Sequence, residues 1–124
     1  MPRADLVRLT PMTVVDDVER AAAPLLALGA TRAPSGRPDC LGIRTGSTAA
    51  IFVTADHLDA DFGPGFSRLL EGRSILYAQV VDAEAAATRF LGRRLASAAT
   101  RGGTREIVCE GDGHVVVFAE KVSD

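Results

Sequence analysis

Two apolar stretches with strand character each run into the same short polar signal. Asp17-Val18-Glu19-Arg20-Ala21-Ala22 follows one and Asp82-Ala83-Glu84-Ala85-Ala86-Ala87 the other, both reading Asp-x-Glu-x-Ala-Ala at an offset of 65. An Asp ahead of a helix accepts hydrogen bonds from the free N–H groups of the first turn, and a Glu in that turn favours the positive end of the helix dipole. The pattern predicts two helix starts. Behind them Val18, Ala22, Leu25 and Leu26, and likewise Ala83, Ala87, Phe90 and Leu91, recur at helical spacing, so each helix is expected to bury an equivalent stripe. Pro24 removes a backbone bond in mid-helix and crowds the turn before it, which predicts a kink or an irregular start.

The same offset relates the strands. Val14-Val15 falls on Gln79-Val80, and Ala50-Ile51-Phe52-Val53 on Val115-Val116-Val117-Phe118. Each half reads as a strand (about residues 6–15 and 74–81), a helix (17–29 and 82–92) and three short strands (31–35, 40–45, 48–54 and 94–99, 103–110, 114–120). Thr45-Gly46-Ser47-Thr48 and Gly111-Asp112-Gly113-His114 are the last hairpin turns of the two halves. The predicted fold class is α+β: one domain over residues 1–124, with a βαβββ module at about 5–55, a linker at about 55–72 and a second βαβββ module at about 73–121. A short helix is expected at Phe66 to Leu70, whereas Asp56, His57, Asp59 and Asp61 read as a solvated loop and not as a metal or acid/base cluster. Four strands and one helix leave one sheet face without a cover, so the modules are expected to pair, within the chain or across a dimer.

Composition narrows the partners. The chain has 124 residues, 47% of them hydrophobic and 24% charged, which suits one globular domain with a buried core. Fourteen basic against sixteen acidic side chains give a net charge of -2, so no nucleic-acid footprint is expected. Arg89, Arg93, Arg94, Arg101 and Arg105 form a basic concentration without aromatic interleaving, which reads as a solvated or dimer-contact surface. The opening Met1-Pro2-Arg3-Ala4-Asp5 lacks a signal-peptide pattern and no apolar run is long enough for a bilayer, so a cytoplasmic protein without membrane contact is expected. Cys40 and Cys109 stand apart, which argues against a disulfide framework or a structural zinc site.

Two βαβββ repeats, Val-x-Asp-x-Glu-x-Ala at the start of each helix, and the closing run Gly103-Thr104-Arg105-Glu106-Ile107-Val108-Cys109-Glu110-Gly111-Asp112-Gly113-His114-Val115-Val116-Val117-Phe118-Ala119-Glu120 together resemble the glyoxalase/bleomycin-resistance/extradiol-dioxygenase group, the vicinal oxygen chelate superfamily. The resemblance implies sheets curved around a cleft. It also implies metal ligands on the first and last strands of each module, positions that fall at Thr10, Ile75, Phe52 and Val117. Ile, Phe and Val offer a cation no lone pair and a Thr hydroxyl is a poor ligand, so no metal or other cofactor is expected. Their neighbours Leu9, Pro11, Leu76, Ile51, Val53, Val116 and Phe118 are no better.

Alternation sends residues two apart to one face. Ile75, Tyr77 and Gln79 are expected to line one wall and Thr10, Met12 and Val14 the other, with Phe52, Thr54 and Val117 from the last strands. Thr10, Met12, Phe52, Ile75, Tyr77, Gln79 and Val117 are thus the candidate ligand-binding residues, for a small hydrophobic or aromatic molecule oriented by Tyr77, Gln79 and Thr10. The resemblance and these residues point to a homodimeric, metal-free binding protein of the bleomycin-resistance type with no catalytic residue, although bleomycin itself calls for stacking aromatics that a chain without Trp lacks. The alternative is a glyoxalase- or dioxygenase-like enzyme, an isomerase or lyase, working without the family's metal through Glu106, Glu110, Glu120, His57 or His114. Glu106 and Glu110 share a face, and their reach to Tyr77 separates the two readings. A third outcome is a regulatory or scaffold module with its cleft collapsed by Phe52, Met12 and Tyr77.

Overall fold

A computed structural model describes residues 5–33 and 37–122, which fall into two units, residues 10–72 and the rest. The first unit holds most of β1 (Leu6–Val14), then α1 (Val18–Ala27), β2 (Thr31–Ala33), β3 (Cys40–Thr45), β4 (Thr48–Val53), α2 (Ala55–Phe62) and a 3-10 turn (Phe66–Leu69). Its strands lie in the order β2, β3, β4, β1, with β4 parallel to β1 and antiparallel to β3. The second unit repeats this with β5 (Ile75–Val80), α3 (Ala83–Arg89), β6 (Arg93–Ala99), β7 (Thr104–Gly111) and β8 (His114–Lys121), ordered β5, β8, β7, β6. Residues 5–9 group with it, and the Val81 N–H donates to the Asp5 carbonyl at 3.1 Å. The predicted α+β pattern and both βαβββ modules are present; positions 34 and 35 of the predicted strand 31–35 lie outside the described residues.

The repeated motif does more than cap. Asp17 and Asp82 each accept from the N–H three residues on, Arg20 and Ala85, at 3.0 Å. The Glu two positions later forks to an arginine on the module's edge strand: Glu19 to Arg32 of β2 at 2.7 and 2.5 Å, and Glu84 to Arg94 of β6 at 3.1 Å through both nitrogens. Hydrogen bonding to Arg32 holds the Glu19 carboxyl below the usual carboxylate range, and the same bonds raise Arg32 and Arg94. At α3 the carboxylate of Glu120 on β8 accepts from the Ala83 N–H at 2.8 Å, so a neighbouring strand also serves the helix start.

Each helix covers one face of its own sheet. Val18 and Ala22 pack with Leu41 and Ile43, flanked by Ala50 and Phe52. Ala83, Ala86 and Ala87 pack with Ile107, Cys109 and Val116, flanked by Phe90 and Phe118. Leu41 pairs with Phe52 and Ile43 with Ala50, as Ile107 pairs with Phe118 and Cys109 with Val116. Beyond the helices the modules therefore correspond at an offset of 66, one more than at the helix starts.

Three expectations are corrected. Leu25 is 40% and Leu91 98% exposed, so neither completes its stripe; α3 ends at Arg89, and Phe90 leaves helical backbone angles before Leu91 is reached. α1 runs through Pro24 from a regular start at the Asp17 cap; Pro24 lies on the exposed side, where water can serve the carbonyl that the missing N–H leaves free. Residues 55–62 are not a loop. The Thr54 hydroxyl caps α2 by accepting from the His57 N–H at 3.2 Å, Leu58 is buried, and Phe62 stacks on Phe66 at 4.7 Å between ring centres.

Replacing Asp17 or Asp82 by Ala removes a cap and is expected to lower the unfolding free energy by about 1 kcal/mol each. Urea denaturation of the two variants checks this; midpoints equal to wild type would mean that the Glu–Arg forks alone define the helix starts.

Candidate functional site

Because α3 covers the face carrying Ala78, Val80, Ile107, Cys109 and Val116, alternation turns Ile75, Tyr77, Gln79, Glu106, Val108, Glu110, Val115, Val117 and Ala119 to the other face. Register sets them in rows. Tyr77, Val117 and Val108 lie side by side across β5, β8 and β7; Gln79, Ala119 and Glu106 form the row on one side, Ile75, Val115 and Glu110 the row on the other. The middle is apolar, with Val108, Val115 and Val117 at most 1% exposed, whereas Tyr77, Gln79, Glu106 and Glu110 are half-buried.

The two carboxylates of β7 have different partners. The Tyr77 hydroxyl donates to Glu106 Oε2 at 2.7 Å, and the Thr104 hydroxyl donates to the same oxygen at 2.8 Å. Behind them the Thr100 and Thr104 hydroxyls are 2.6 Å apart. Glu110 instead lies between Arg73 at 2.6 Å and Arg93 at 2.5 Å, and these guanidiniums, Arg73 first, hold its carboxyl below the ordinary value of 4.5. One end of the face thus presents a carboxylate among hydroxyls, the other a carboxylate between two cations.

Of the seven candidate residues, the face brings together Ile75, Tyr77, Gln79 and Val117. Thr10 and Met12 are buried on β1, where Met12 is in register with Ile51. Phe52 packs on the helix side with Val18 and Leu41, not beside Met12; it matches Phe118, and Ile51 is the counterpart of Val117. Thr54 is spent on the α2 cap. Glu106 and Thr104 complete the face. His57 and Asp61, read from sequence as solvated, have side chains only 11% and 4% exposed; His57 Nε2 and Asp61 Oδ2 lie 3.5 Å apart on α2, with Arg37 3.6 Å from Asp61. His114 meets the edge of Phe90 beside the β7–β8 turn, where Asp112 and Gly113 both have positive φ, a hairpin role.

A metal of the kind the resemblance implies does not fit these residues. Ile75, Val117 and Ile51 are hydrocarbon, Thr10 offers one hydroxyl, and among the described residues no three of His, Cys, Asp and Glu gather into a group that could hold an ion. A hollow of about 260 Å³ lies elsewhere, between the end of α1 and the β3–β4 hairpin, lined mainly by Leu25, Leu28, Ile43, Ala49 and Ala50 and holding no acid or base besides Arg44. No helix among the described residues is long and apolar enough to cross a membrane.

This is the fold of the glyoxalase/bleomycin resistance protein/dioxygenase superfamily. A member of that superfamily from Vibrio splendidus 12B01 superposes with a TM-score of 0.53 at 15% identity, over 94% of this chain and 99% of the other. The bleomycin-binding protein of Streptomyces verticillus matches at TM-score 0.35 and 16% identity, over 93% of this chain and 94% of that one. A putative glyoxalase of Bacillus halodurans matches at 0.33 and 21%, over 88% and 91%. No protein-family model matches the chain, and no curated protein does.

The Glu110 clamp has a pH signature. Its folded carboxyl titrates below the unfolded value, so its contribution to stability is complete above about pH 4.5 and is lost as the pH falls through the lower folded value. Glu110→Gln is expected to flatten the fall of the urea midpoint on acidification in that range; an unchanged pH profile would mean the arginines contribute nothing to folding.

Proposed function

We propose that this protein binds a small organic molecule on the helix-free face of its second sheet, without a metal ion, and sequesters it. The observation that carries the reading is the content of that face: hydrocarbon at Ile75 and Val117, where the resemblance puts metal ligands, beside the polar groups of Tyr77, Gln79 and Glu106. An apolar floor with a few converging hydrogen-bonding groups on rigid strands suits recognition of an antibiotic- or metabolite-sized molecule. The same reading takes the protein to work as a cytoplasmic homodimer.

One observation favours a second reading, a metal-independent isomerase or lyase: Glu106 lies within hydrogen-bonding reach of Tyr77, the contact that an acid/base pair would need. Two hydroxyls on a single carboxylate oxygen form charge-assisted bonds that fix that oxygen as an acceptor. That arrangement suits holding a ligand's donor better than removing its proton, so binding is the leading reading.

Native mass spectrometry with elemental analysis of the purified protein tests both. A dimer carrying a small organic molecule and no stoichiometric metal is expected, and the molecule should be released unchanged after prolonged incubation. One metal ion per chain would overturn the metal-free reading, and conversion of the released molecule in a reaction abolished by Glu106→Gln would replace sequestration by catalysis.

A further inference from the structure

The two modules differ where the helix ends against the last hairpin. α1 has ten residues and α3 seven, although both start from the same Asp cap. α3 stops at Arg89, and Phe90, in extended backbone, packs on the core with its ring edge-on to Phe118 at 5.6 Å and to His114 at 6.5 Å. Gly111 makes room for that ring, since a Cβ there would stand 3.2 Å from Phe90 Cε2. At the offset of 66 that relates the last strands, Gly111, His114 and Phe118 become Thr45, Thr48 and Phe52. Thr45 and Thr48 line the hollow of about 260 Å³ in the first module, so that hollow lies where the second module places a phenyl ring. α1 runs on past this point: Leu26 reaches the core, while Leu25 and Leu28 stand 40% and 84% exposed beside the hollow. Arg44 is the one charged residue lining it and matches Glu110 of the second module. Glu110 is held between Arg73 and Arg93, whereas no carboxylate among the described residues pairs with Arg44.

We propose that this hollow is a further binding site, for a small aryl carboxylate: the ring takes in the first module the place that Phe90 takes in the second, and the carboxylate pairs with Arg44. An apolar cavity of about 150 Å³ is enough to hold a benzene molecule, so the hollow has room for a ring and a short acidic arm. Burying the ring against Leu25, Leu28, Ile43 and Ala50 supplies the attraction. A guanidinium matches a carboxylate through two parallel hydrogen bonds, so Arg44 selects an anionic arm over a neutral one. Every lining residue belongs to the first unit, and neither Tyr77 nor Glu106 takes part. The site is therefore separate from the face of the second sheet and stands or falls apart from the function proposed for that face.

Methyl NMR of the whole protein, titrated with phenylacetate, its neutral analogue phenylacetamide, and acetate, tests the site. Phenylacetate is expected to move the methyl signals of Leu25, Leu28, Ala49 and Ala50 saturably, phenylacetamide to bind about fivefold more weakly, and acetate, which has no ring, to leave them unmoved. Arg44→Gln should bring phenylacetate down to the affinity of phenylacetamide without changing the latter. Thr45→Phe, at an exposed position matching Gly111, sets a ring of the protein's own beside the hollow and should abolish binding of both aryl probes. No saturable shift with phenylacetate, equal affinity for phenylacetate and phenylacetamide, or undiminished binding by Thr45→Phe overturns the proposal. Shifts confined to Val117 and its neighbours on the second sheet would also overturn it, and would leave the reading of that face standing. If Thr45→Phe instead converts a dimer to a monomer in sedimentation, the hollow is occupied by a second copy of the chain and the small-molecule site falls.

Discussion

A strand sends every second side chain to the opposite face, and a module with one helix can cover only one of those faces. In both units the covered face is the one carrying Leu41 and Ile43, or Ile107 and Cys109, against the small residues of the helix. The face of the second sheet that α3 does not cover therefore carries the alternate set: Ile75, Tyr77 and Gln79 on β5, Val117 and Ala119 on β8, Glu106 and Glu110 on β7. The helix fixes that choice through contacts that never touch the site. Ala83, Ala86 and Ala87 have side chains short enough for α3 to lie close on the sheet, and the Glu84–Arg94 fork ties the same helix to the outermost strand.

The architecture was legible because its punctuation has a mechanism. Asp-x-Glu-x-Ala-Ala marks a helix start through an N-cap, and Gly-Asp-Gly marks a two-residue hairpin turn through positive φ at Asp112 and Gly113. The fork from each motif glutamate to an edge-strand arginine was not legible, since Glu19 to Arg32 and Glu84 to Arg94 span different separations and only the strand order brings them together. The segment after β4 misled for a different reason. Asp56, Asp59 and Asp61 make it look solvated, but Thr54 can cap a helix, and four-residue spacing sets His57 over Asp61.

The candidate site was half legible. Counting by two along β5 places Ile75, Tyr77 and Gln79 together, and the pairing with β8 adds Val117. Phe52 failed because the repeat drifts by one residue between the helix starts and the third strands, and in a sheet a slip of one reverses the face of every side chain. Glu106 could not be oriented from sequence, because Ile107, Val108 and Cys109 are consecutive and apolar. All three are buried, on alternate faces, so no period of two marks which face the flanking glutamates take. Only the contact of Ile107 and Cys109 with α3 settles that Glu106 and Glu110 turn toward Tyr77.

Glu106 and Glu110 lie on one strand and one face, about 13 Å apart by strand geometry, yet they offer different chemistry. Glu110 has its charge answered twice, by Arg73 and Arg93, and that end of the face is closed by ion pairs. Glu106 accepts from the Tyr77 and Thr104 hydroxyls through one oxygen, bonds of the charge-assisted kind. Between them lies a hydrocarbon floor. On the proposed binding reading, such a face would offer a guest an uncharged middle and a carboxylate acceptor beside it. Recognition of that kind, by shape and hydrogen bonding, would require none of the lone-pair donors that Ile75 and Val117 lack.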